Sequence, residues 1–542
     1  MKKIAYLLPA IFFLNSCDLT EVPYTAGTEN LKDAPDGADQ IVASIYNVFW
    51  SSYMMKKTYM EWIDMDHDHA SAEAWVVSGA GQGNVTTHWG YNGNSDLFNA
   101  FYQIITRANF ALENVPSYTE ISEGELNQLL GEAYFLRAFA YFHLVRMYGP
   151  VPLRVQYLSE KDMGRSPVAD VFQCIVNDLK EADRLMTAWG TPSARWGHAN
   201  KTAAKLLLAK VYATMASGAL AGSVEMEVDI KGTNTAFTTD AVAGYESFNP
   251  QECYTQVEEL CNAVIAERGN AFDLRANFQS IWGSANARNN EFVWAIVGHS
   301  DFKTEHLSYY YAAIPFNGRA WAGISSGLYN LYEETDTRGT YGVFHYMKRS
   351  FTSANYERFP NNTAKYGTGP DGKATTYSNY SSLIFPTKWY KGDVTNPSPV
   401  SVSPGYAYEA QDVIMIRYVD AYLLRAEARN ELNKPAGALE DLDVVRVRAG
   451  ASLKAGTTTD KMKIRSLVLR ERGLEYAQEF NRKFDLLRWG LYLPVMNATG
   501  TVLEKYNRSI SKVREPRSLL YAVPTTEIYT NRLFGPNNTG WQ

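Results

Sequence analysis

The sequence predicts a mainly α protein, built from helix pairs with a large loop-rich part packed on them. Apolar residues recur at helical spacing through the first half of the 542-residue chain, and helical segments return between residues 416 and 488. Residues 301–390 lose this period and become rich in Gly, Asn, Thr and Tyr. Helix pairs joined by short turns suggest a tetratricopeptide-like stack, although no regular repeat of about 34 residues is visible.

The helices of the first half have recognisable ends. Proline lacks an N–H group and disfavours a helical residue before it, and serine followed by proline is typical of a helix start. Predicted helices therefore end at Pro116, run from Gly131 to Gly149-Pro150, begin at Ser166-Pro167, and continue over 203–212 and 257–265.

The second half is predicted to contain helices over 416–428, 436–448 and 461–488. The last of these carries arginines, glutamates and an aspartate at spacings of three and four residues. Such charges can pair along one helical face. Two interpretations are open: a solvated face, or an ion-pair network that locks this helix to its neighbours. We favour the network.

The N-terminus has the pattern of a lipoprotein signal peptide. Two lysines precede an apolar run over residues 4–14, which is far shorter than the roughly 20 residues of a membrane-spanning helix. Cys17 follows a serine and has a leucine three positions upstream. We expect residues 1–16 to be removed and Cys17 to be lipidated; the alternative is an ordinary secretory signal with a cysteine there by chance. No other stretch is apolar enough to span a bilayer.

Composition narrows the class of protein further. The formal net charge of −6 shows no basic bias, so we expect no nucleic-acid partner. Besides Cys17, only Cys174, Cys253 and Cys261 remain, and we interpret them as buried free thiols. No Gly/Ser-rich or Pro-rich linker divides residues 17–542. We therefore predict a single unit with an N-terminal helical part (17–280) and a C-terminal part (281–542), which contains a loop-rich insertion (301–400).

Ordered motifs carry a resemblance to a known family. They are the helix Gly131–Tyr148 with Gly149-Pro150, the helix from Arg417-Tyr418 to Ala426-Glu427-Ala428, the turn Val445-Arg446-x-Arg448-Ala449-Gly450, the segment from Glu471-Arg472 to Trp489-Gly490, and the tail from Val523-Pro524 to Trp541. In this order, and with the lipoprotein signal, they resemble the SusD/RagB family. Its members are surface lipoproteins of Bacteroidetes that bind nutrients for an outer-membrane transporter.

The resemblance implies a fold, a location and a partner. The fold would be a core of four tetratricopeptide-like helix pairs. The protein would be lipid-anchored at the cell surface in the outer membrane, as the lid-like partner of a SusC-like TonB-dependent transporter. It would bind an oligosaccharide, or in some members a peptide, without a cofactor and without catalysis. No Gly-x-Ser-x-Gly, His-Glu-x-x-His or Walker motif stands in a supporting context, so we expect no enzyme; a surface glycoside hydrolase remains the alternative.

Aromatic residues in loop-like sequence are the candidate ligand contacts. Twenty of residues 301–390 are aromatic, against 13% of the whole chain. Flat rings can pack against the apolar face of a sugar ring, and neighbouring polar groups can bind its hydroxyls. The candidates lie in the two regions to which the resemblance assigns the ligand platform: Trp75, Trp89, Tyr91 and Asn92 in the first, and Tyr309, Tyr311, Arg319 and Trp321 in the second. For each ring the alternative is that it only anchors its loop by packing against the protein and does not contact ligand.

An acidic string, Asp64-Met-Asp66-His67-Asp68-His69, is the most metal-like part of the sequence. Alternating carboxylates could bind Ca²⁺, and the two histidines could suit Zn²⁺. The string lacks the glycine and the distal glutamate of an EF-hand loop. We therefore expect no metal, with Asp64, Asp66 and Asp68 as weak candidates. The other interpretations are a polar wall of the ligand site and a solvated loop.

Overall fold

The computed structural model describes the parts of the chain from which the fold follows. These are residues 36–51, 54–72, 95–187, 195–283, 286–298, 311, 322–348, 356–358, 384–389, 412–504 and 508–541. Cys17 and the signal peptide lie outside them, so lipidation remains a prediction.

The described part of the chain is mainly helical, as predicted. In chain order its α-helices are α1 (Gly37–Ser51), α2 (Ser95–Asn114), α3 (Glu123–Tyr148), α4 (Val168–Leu185), α5 (Lys201–Leu220), α6 (Pro250–Ala266), α7 (Ser326–Tyr329), α8 (Thr337–Tyr341), α9 (Asp420–Glu431), α10 (Pro435–Ala449), α11 (Lys461–Glu475), α12 (Arg482–Arg488), α13 (Tyr492–Thr499) and α14 (Thr525–Thr530). Among these described helices, none has both the length and the hydropathy that a membrane span requires.

Eight of the helices form the tetratricopeptide-like stack. They pair as α1 with α2, α3 with α4, α5 with α6, and α9 with α10. Each pair also packs on the next, and α6 packs directly on α9, so the last pair comes from the C-terminal half of the chain. The four helix pairs implied by the resemblance are therefore confirmed.

Helix α3 lies at the centre of this stack. It is buried on almost every side, which is typical of a helix enclosed by others. Ser122 begins it by accepting a hydrogen bond from the backbone N–H of Glu125, and Gly149, with φ of 72°, ends it. The predicted end of this helix is confirmed, but the helix begins at Glu123, eight residues before the predicted start at Gly131. Helix α4 begins at Val168, slightly later than predicted, because Ser166 pairs with Val151 in a β-bridge instead of capping the helix.

The strands form antiparallel pairs. These pairs are β1 (Ala70–Ala72) with β5 (Ala322–Ile324), β2 (Glu225–Ile230) with β3 (Thr233–Thr238), β4 (Phe292–Ile296) with β8 (Val413–Arg417), β6 (Tyr346–Lys348) with β7 (Tyr356–Arg358), and β9 (Thr501–Glu504) with β10 (Arg508–Ser511). The pair β4–β8 joins the segments that flank the loop-rich insertion.

The predicted helix over 461–488 is two helices, and this prediction was wrong. Helix α11 ends at Glu475 and α12 begins at Arg482. In the turn between them, Gln478 and Phe480 have φ of 57° and 60°. The spacing of charges continues through the turn, so the charge pattern alone could not reveal the break.

The three cysteines of the described residues are free thiols. Cys253 and Cys261 are buried and Cys174 is partly buried. Burial raises the pKa of Cys253 to about 11 and that of Cys174 to about 12. These thiols therefore stay protonated and unreactive at neutral pH, in agreement with the interpretation from sequence.

Candidate functional site

The ladder between β1 and β5 pairs two described strands that are adjacent in sequence to the two predicted ligand regions. Its register pairs Ala70 with Ile324 and Ala72 with Ala322. Because the strands are antiparallel, the chain leaves β1 at the same end of the ladder at which it enters β5. In sequence, Trp321 immediately precedes Ala322, and Trp75 follows Ala72 by three residues. Ala72 and Ala322, the described residues nearest in sequence to the two regions, therefore lie at the same end of this ladder.

The ladder is held by hydrogen bonds to other segments. The backbone N–H of Ile324 donates to the carbonyl of Ile384 at 2.9 Å. The N–H of Ser325 donates to the carbonyl of His69 at 2.8 Å. From the C-terminal part, the ammonium of Lys512 donates to the carbonyl of Ala70 at 3.0 Å. These bonds fix a three-residue pair of strands that would be marginal alone.

Asp66, in the acidic string before β1, is fully buried and bound by cations. Its carboxylate accepts hydrogen bonds from the Lys483 ammonium at 2.6 Å and the Tyr492 hydroxyl at 2.7 Å. The Arg514 guanidinium donates to it as well, at 2.8 and 2.9 Å. A buried carboxylate is stable only when it is paired in this way. Asp66 therefore holds the segment before β1 against α12, α13 and the C-terminal part.

Asp68 and Asp64 are buried in the same manner. Asp68 forms a two-pronged ion pair with Arg482, with N–O distances of 2.7 and 2.9 Å. Asp64 accepts the backbone N–H of Phe480 at 3.1 Å and the hydroxyl of Tyr311 at 2.5 Å. The interpretation of this string as a solvated loop was therefore wrong. Its carboxylates face protein donors, and the described residues contain no cluster of three or more acids, histidines or cysteines suited to a metal ion.

His69 is the last residue before the ladder and is buried next to Asp68. Burial disfavours the imidazolium and the nearby Arg482 repels it, which together lower the pKa of His69 to about 3 despite the attraction of Asp68. Arg482 also holds the pKa of Asp68 well below its usual range, although burial alone would raise it. His69 is therefore neutral at physiological pH.

Tyr311 is the predicted ligand contact that the structure describes, and it lies in the protein interior. It is 1% exposed. One ring face stacks on Trp389, with ring centroids 4.7 Å apart and planes 7° apart. Its hydroxyl donates to Asp64, as given above. This environment favours the anchor interpretation for Tyr311, because a stacked and buried ring has no face left for a sugar.

The other predicted contacts stay predictions. Trp75, Trp89, Tyr91, Asn92, Tyr309, Arg319 and Trp321 lie outside the described residues.

From Glu471 onward, the charged residues of α11 and α12 form a buried network, as favoured from the sequence. The Glu475 carboxylate contacts Arg448 at 2.6 Å, Arg417 at 2.8 Å and Arg338 at 3.1 Å. Glu291 contacts both Arg417 and Arg448 at 2.7 Å. Burial alone would raise the pKa of Glu475, but the three guanidinium groups hold it well below its usual range. The solvated interpretation of these charges was wrong.

Sequence reasoning missed the cations that hold the acidic string. Arg482, Lys483 and Arg514 are separated from their partners by 414, 417 and 448 residues. Periodicity reports neighbours along one helix and carries no information at such distances. The one indication in the sequence was the close spacing of Asp64, Asp66 and Asp68.

Two family models match this chain. Residues 290–541 match the model described as "SusD family", and residues 19–213 match the model described as "Starch-binding associating with outer membrane". A SusD-like protein of Formosa agariphila is 27% identical, over 74% of this chain and 71% of that protein. The starch-binding protein SusD of Bacteroides thetaiotaomicron is 21% identical, over 80% and 76%.

Solved structures show the same fold. A SusD homolog from Bacteroides thetaiotaomicron has a TM-score of 0.73 at 19% identity, with 95% of this chain and 99% of that chain covered. A laminarin-binding SusD-like protein has a TM-score of 0.64 at 20% identity, with 93% and 99% covered. The two family models together span most of the sequence, and the helix stack agrees with them. The chain is a member of the SusD-like family.

Proposed function

We propose that this protein is a non-catalytic glycan-binding protein of the outer-membrane surface. The observation that carries the proposal is the register of the β1–β5 ladder, in which Ala72 faces Ala322. Three residues of extended chain span at most about 11 Å, so Trp75 starts within that reach of Ala72. Trp321 is the residue next to Ala322. Two aromatic regions that begin this close together can contribute to one ligand platform.

The chemistry of the two regions supports a glycan. Tryptophan and tyrosine rings bind sugar rings with little loss of conformational freedom, and a few such anchors dominate the affinity of an interface. Two proteins that resemble this chain are named for binding starch and laminarin. We propose Trp75, Trp89, Tyr91, Asn92, Tyr309, Arg319 and Trp321 as the ligand contacts.

Delivery to a transporter completes the proposal. The signal-peptide pattern before Cys17 supports a lipid anchor, and the family description supports an outer-membrane location. A lipid-anchored binding protein has no route of its own across the membrane. We therefore propose a SusC-like TonB-dependent barrel as the partner, with this chain as its lid.

A glycan screen tests the proposal. The lipid-free protein, with Cys17→Ala, is titrated with starch, laminarin and other polysaccharides, and the bound oligosaccharide is then recovered. We expect saturable binding to at least one glycan and a ligand of unchanged length. Shortened products after long incubation would support the hydrolase alternative instead. Binding of peptides but of no glycan would contradict the proposed ligand class.

A further inference from the structure

The second predicted ligand region is bounded by two described points of the chain. Tyr311 precedes the segment 312–321, and Ala322, the first residue of β5, follows it. Arg319 and Trp321, two of the proposed ligand contacts, belong to this segment. The contacts that hold Tyr311 and β5 therefore decide where the segment starts and where it ends.

The acidic string and β1 hold both of these points. The Asp64 carboxylate accepts a hydrogen bond from the hydroxyl of Tyr311 at 2.5 Å. Eight positions later in the same described stretch, Ala72 faces Ala322 in the β1–β5 ladder. One short piece of chain therefore contacts both flanking points of the segment.

A second piece of chain, residues 384–389, holds the same two points. The indole of Trp389 stacks on the ring of Tyr311, with centroids 4.7 Å apart. At the other end of this piece, the backbone of Ile384 exchanges two hydrogen bonds with that of Ile324 in β5, at 2.9 and 3.4 Å. Each flanking point is therefore held from two separate parts of the chain.

Both pieces are fixed to the turn that follows α11. The Lys388 ammonium donates to the backbone carbonyl of Glu475 at 2.7 Å and pairs with the Glu479 carboxylate. Asp64 accepts the backbone N–H of Phe480, in the same turn, at 3.1 Å. The contacts around Tyr311 therefore lie on a buried support and not on another loop.

Such contacts matter for binding because they act before a ligand arrives. A chain segment held at both ends has fewer conformations than one held at a single end. When the fold has already restricted a binding segment, less conformational freedom is lost on binding and the affinity is higher. A residue that holds one end can therefore strengthen binding without contacting the ligand.

We propose that Asp64 is a positioning residue for glycan binding. Through the Tyr311 hydroxyl, and together with the Trp389 ring, it fixes the start of the segment that carries Arg319 and Trp321. Asp64 is 1% exposed, and its role is to hold Tyr311 and not to contact the glycan. The effect on affinity rests on the proposed glycan function, whereas the restraint on the segment does not.

Limited proteolysis of the full-length lipid-free protein tests the restraint without a ligand. Trypsin cleaves after lysine and arginine, and Arg319 is the one such residue between Tyr311 and Ala322. Tyr311→Phe and Asp64→Ala each remove the hydrogen bond between the two side chains. We expect the initial rate of cleavage after Arg319, followed by mass spectrometry, to rise about three- to tenfold in each variant.

Tyr418→Phe is the matched control. Tyr418 is 1% exposed, as Tyr311 is, and its hydroxyl donates to the carbonyl of Val264 on α6 at 3.2 Å. This variant therefore loses a buried hydrogen bond of the same kind within the helix stack. Cleavage after Arg319 should stay at the rate of the parent protein, which separates a local restraint from a general loss of stability.

Calorimetry tests the consequence for binding, with maltoheptaose and laminarihexaose as fragments of starch and laminarin. Tyr311→Phe and Asp64→Ala should each bind the accepted fragment about three- to tenfold more weakly. The double variant should bind no more weakly than the weaker single variant, because both changes remove one hydrogen bond. Tyr418→Phe should bind as the parent protein does.

The outcomes separate this proposal from the proposed function. Unchanged cleavage after Arg319 in Tyr311→Phe would overturn the positioning role, even if Asp64→Ala failed to fold by circular dichroism. Faster cleavage with unchanged affinity would overturn the link to binding. Weaker binding in Tyr311→Phe but not in a folded Asp64→Ala would show direct contact of Tyr311 with the glycan and would overturn the proposal too. A parent protein that binds no glycan would contradict the proposed function, and the cleavage rates would still decide the restraint.

Discussion

Ala72 faces Ala322 across the antiparallel β1–β5 ladder. This contact joins the segment that follows the acidic string to the segment that follows the aromatic stretch at 309–321. Both alanines belong to strands that are buried where they are described, and the ladder is bonded to His69, Ile384 and Lys512. The proposal of a shared binding platform rests on this pairing, because the two aromatic regions are adjacent in sequence to Ala72 and Ala322.

The first prediction concerns the buried carboxylate of Asp66, in the acidic string that precedes β1. Asp66→Ala leaves Lys483 and Arg514 buried without their carboxylate. We expect the free energy of unfolding to fall by about 3–5 kcal/mol, the usual effect of breaking a buried ion pair. Denaturant unfolding measures the change. The matched control is Arg184→Ala, which breaks an exposed pair with Glu181 and should leave stability nearly unchanged. Equal effects of the two variants would show that Asp66 is not the anchor inferred here.

The second prediction is a pH dependence due to His69. Its pKa in the folded state is about 3, below its ordinary value of 6.5. The unfolded chain therefore binds a proton that the folded protein excludes, and stability falls as pH drops from about 6.5 towards 3, by up to about 1.4 kcal/mol per pH unit. His69→Asn should flatten this dependence relative to the parent protein. Urea unfolding at pH 7 and pH 5 measures it; an identical slope in both proteins would contradict the buried, neutral state of His69.

The third prediction uses two helical glycines. A Cβ at Gly473 would lie 2.6 Å from Cε1 and 2.9 Å from Nδ1 of His69. Gly473→Ala should therefore destabilise the protein by about 1–3 kcal/mol, because the imidazole has to move. At Gly124, in the first turn of α3, no atom lies within 4 Å of the added carbon. Gly124→Ala should be neutral or stabilising by up to about 1 kcal/mol. Thermal unfolding of both variants compares them, and equal shifts would refute the close contact.

The fourth prediction concerns Tyr311 as an anchor. Tyr311→Phe keeps the stacking on Trp389 but leaves a carboxylate oxygen of Asp64 without this donor. We expect a loss of about 1–3 kcal/mol in the free energy of unfolding. Tyr529→Phe, at a residue 83% exposed, is the matched control and should change nothing. If Tyr311→Phe were as stable as the parent protein but bound glycan more weakly, the original assignment of Tyr311 as a ligand contact would be restored.

The sequence was most informative where local chemistry decides the structure. Helix α3 could be predicted because Gly149-Pro150 stops it and because its aromatic and alanine residues suit a central position. The free thiols and the buried charges of α11 also followed from local patterns. For helix α3 the deciding groups are local, whereas Glu475 of α11 pairs with arginines on other segments, so the sequence indicated that its charge was paired but not with which residues.

The candidate site was harder to predict, because distant contacts build it. Strand β1 is Ala-Ser-Ala, a segment too short to show an alternating pattern, so its pairing with β5 could not be foreseen. The hydrogen-bond donors to Asp64, Asp66 and Asp68 described above, Tyr311 among them, all come from the C-terminal part of the chain. In the turn at residues 476–481, the backbone N–H of Phe480 donates to Asp64, which is more than 400 residues away in sequence. Such features depend on tertiary packing, which overrides local preference.

The fifth prediction tests the central claim, which is that the two aromatic regions adjoining the β1–β5 ladder in sequence bind one glycan. Trp89→Ala and Trp321→Ala are compared with the parent protein by calorimetry against the same oligosaccharide, with Tyr529→Ala as an exposed aromatic control. We predict that each tryptophan variant folds normally and loses about 1–3 kcal/mol of binding free energy. The double variant should lose less than the sum of the two, because both rings act on one ligand. Affinity equal to that of the parent protein in both single variants, for every glycan bound, would contradict the account.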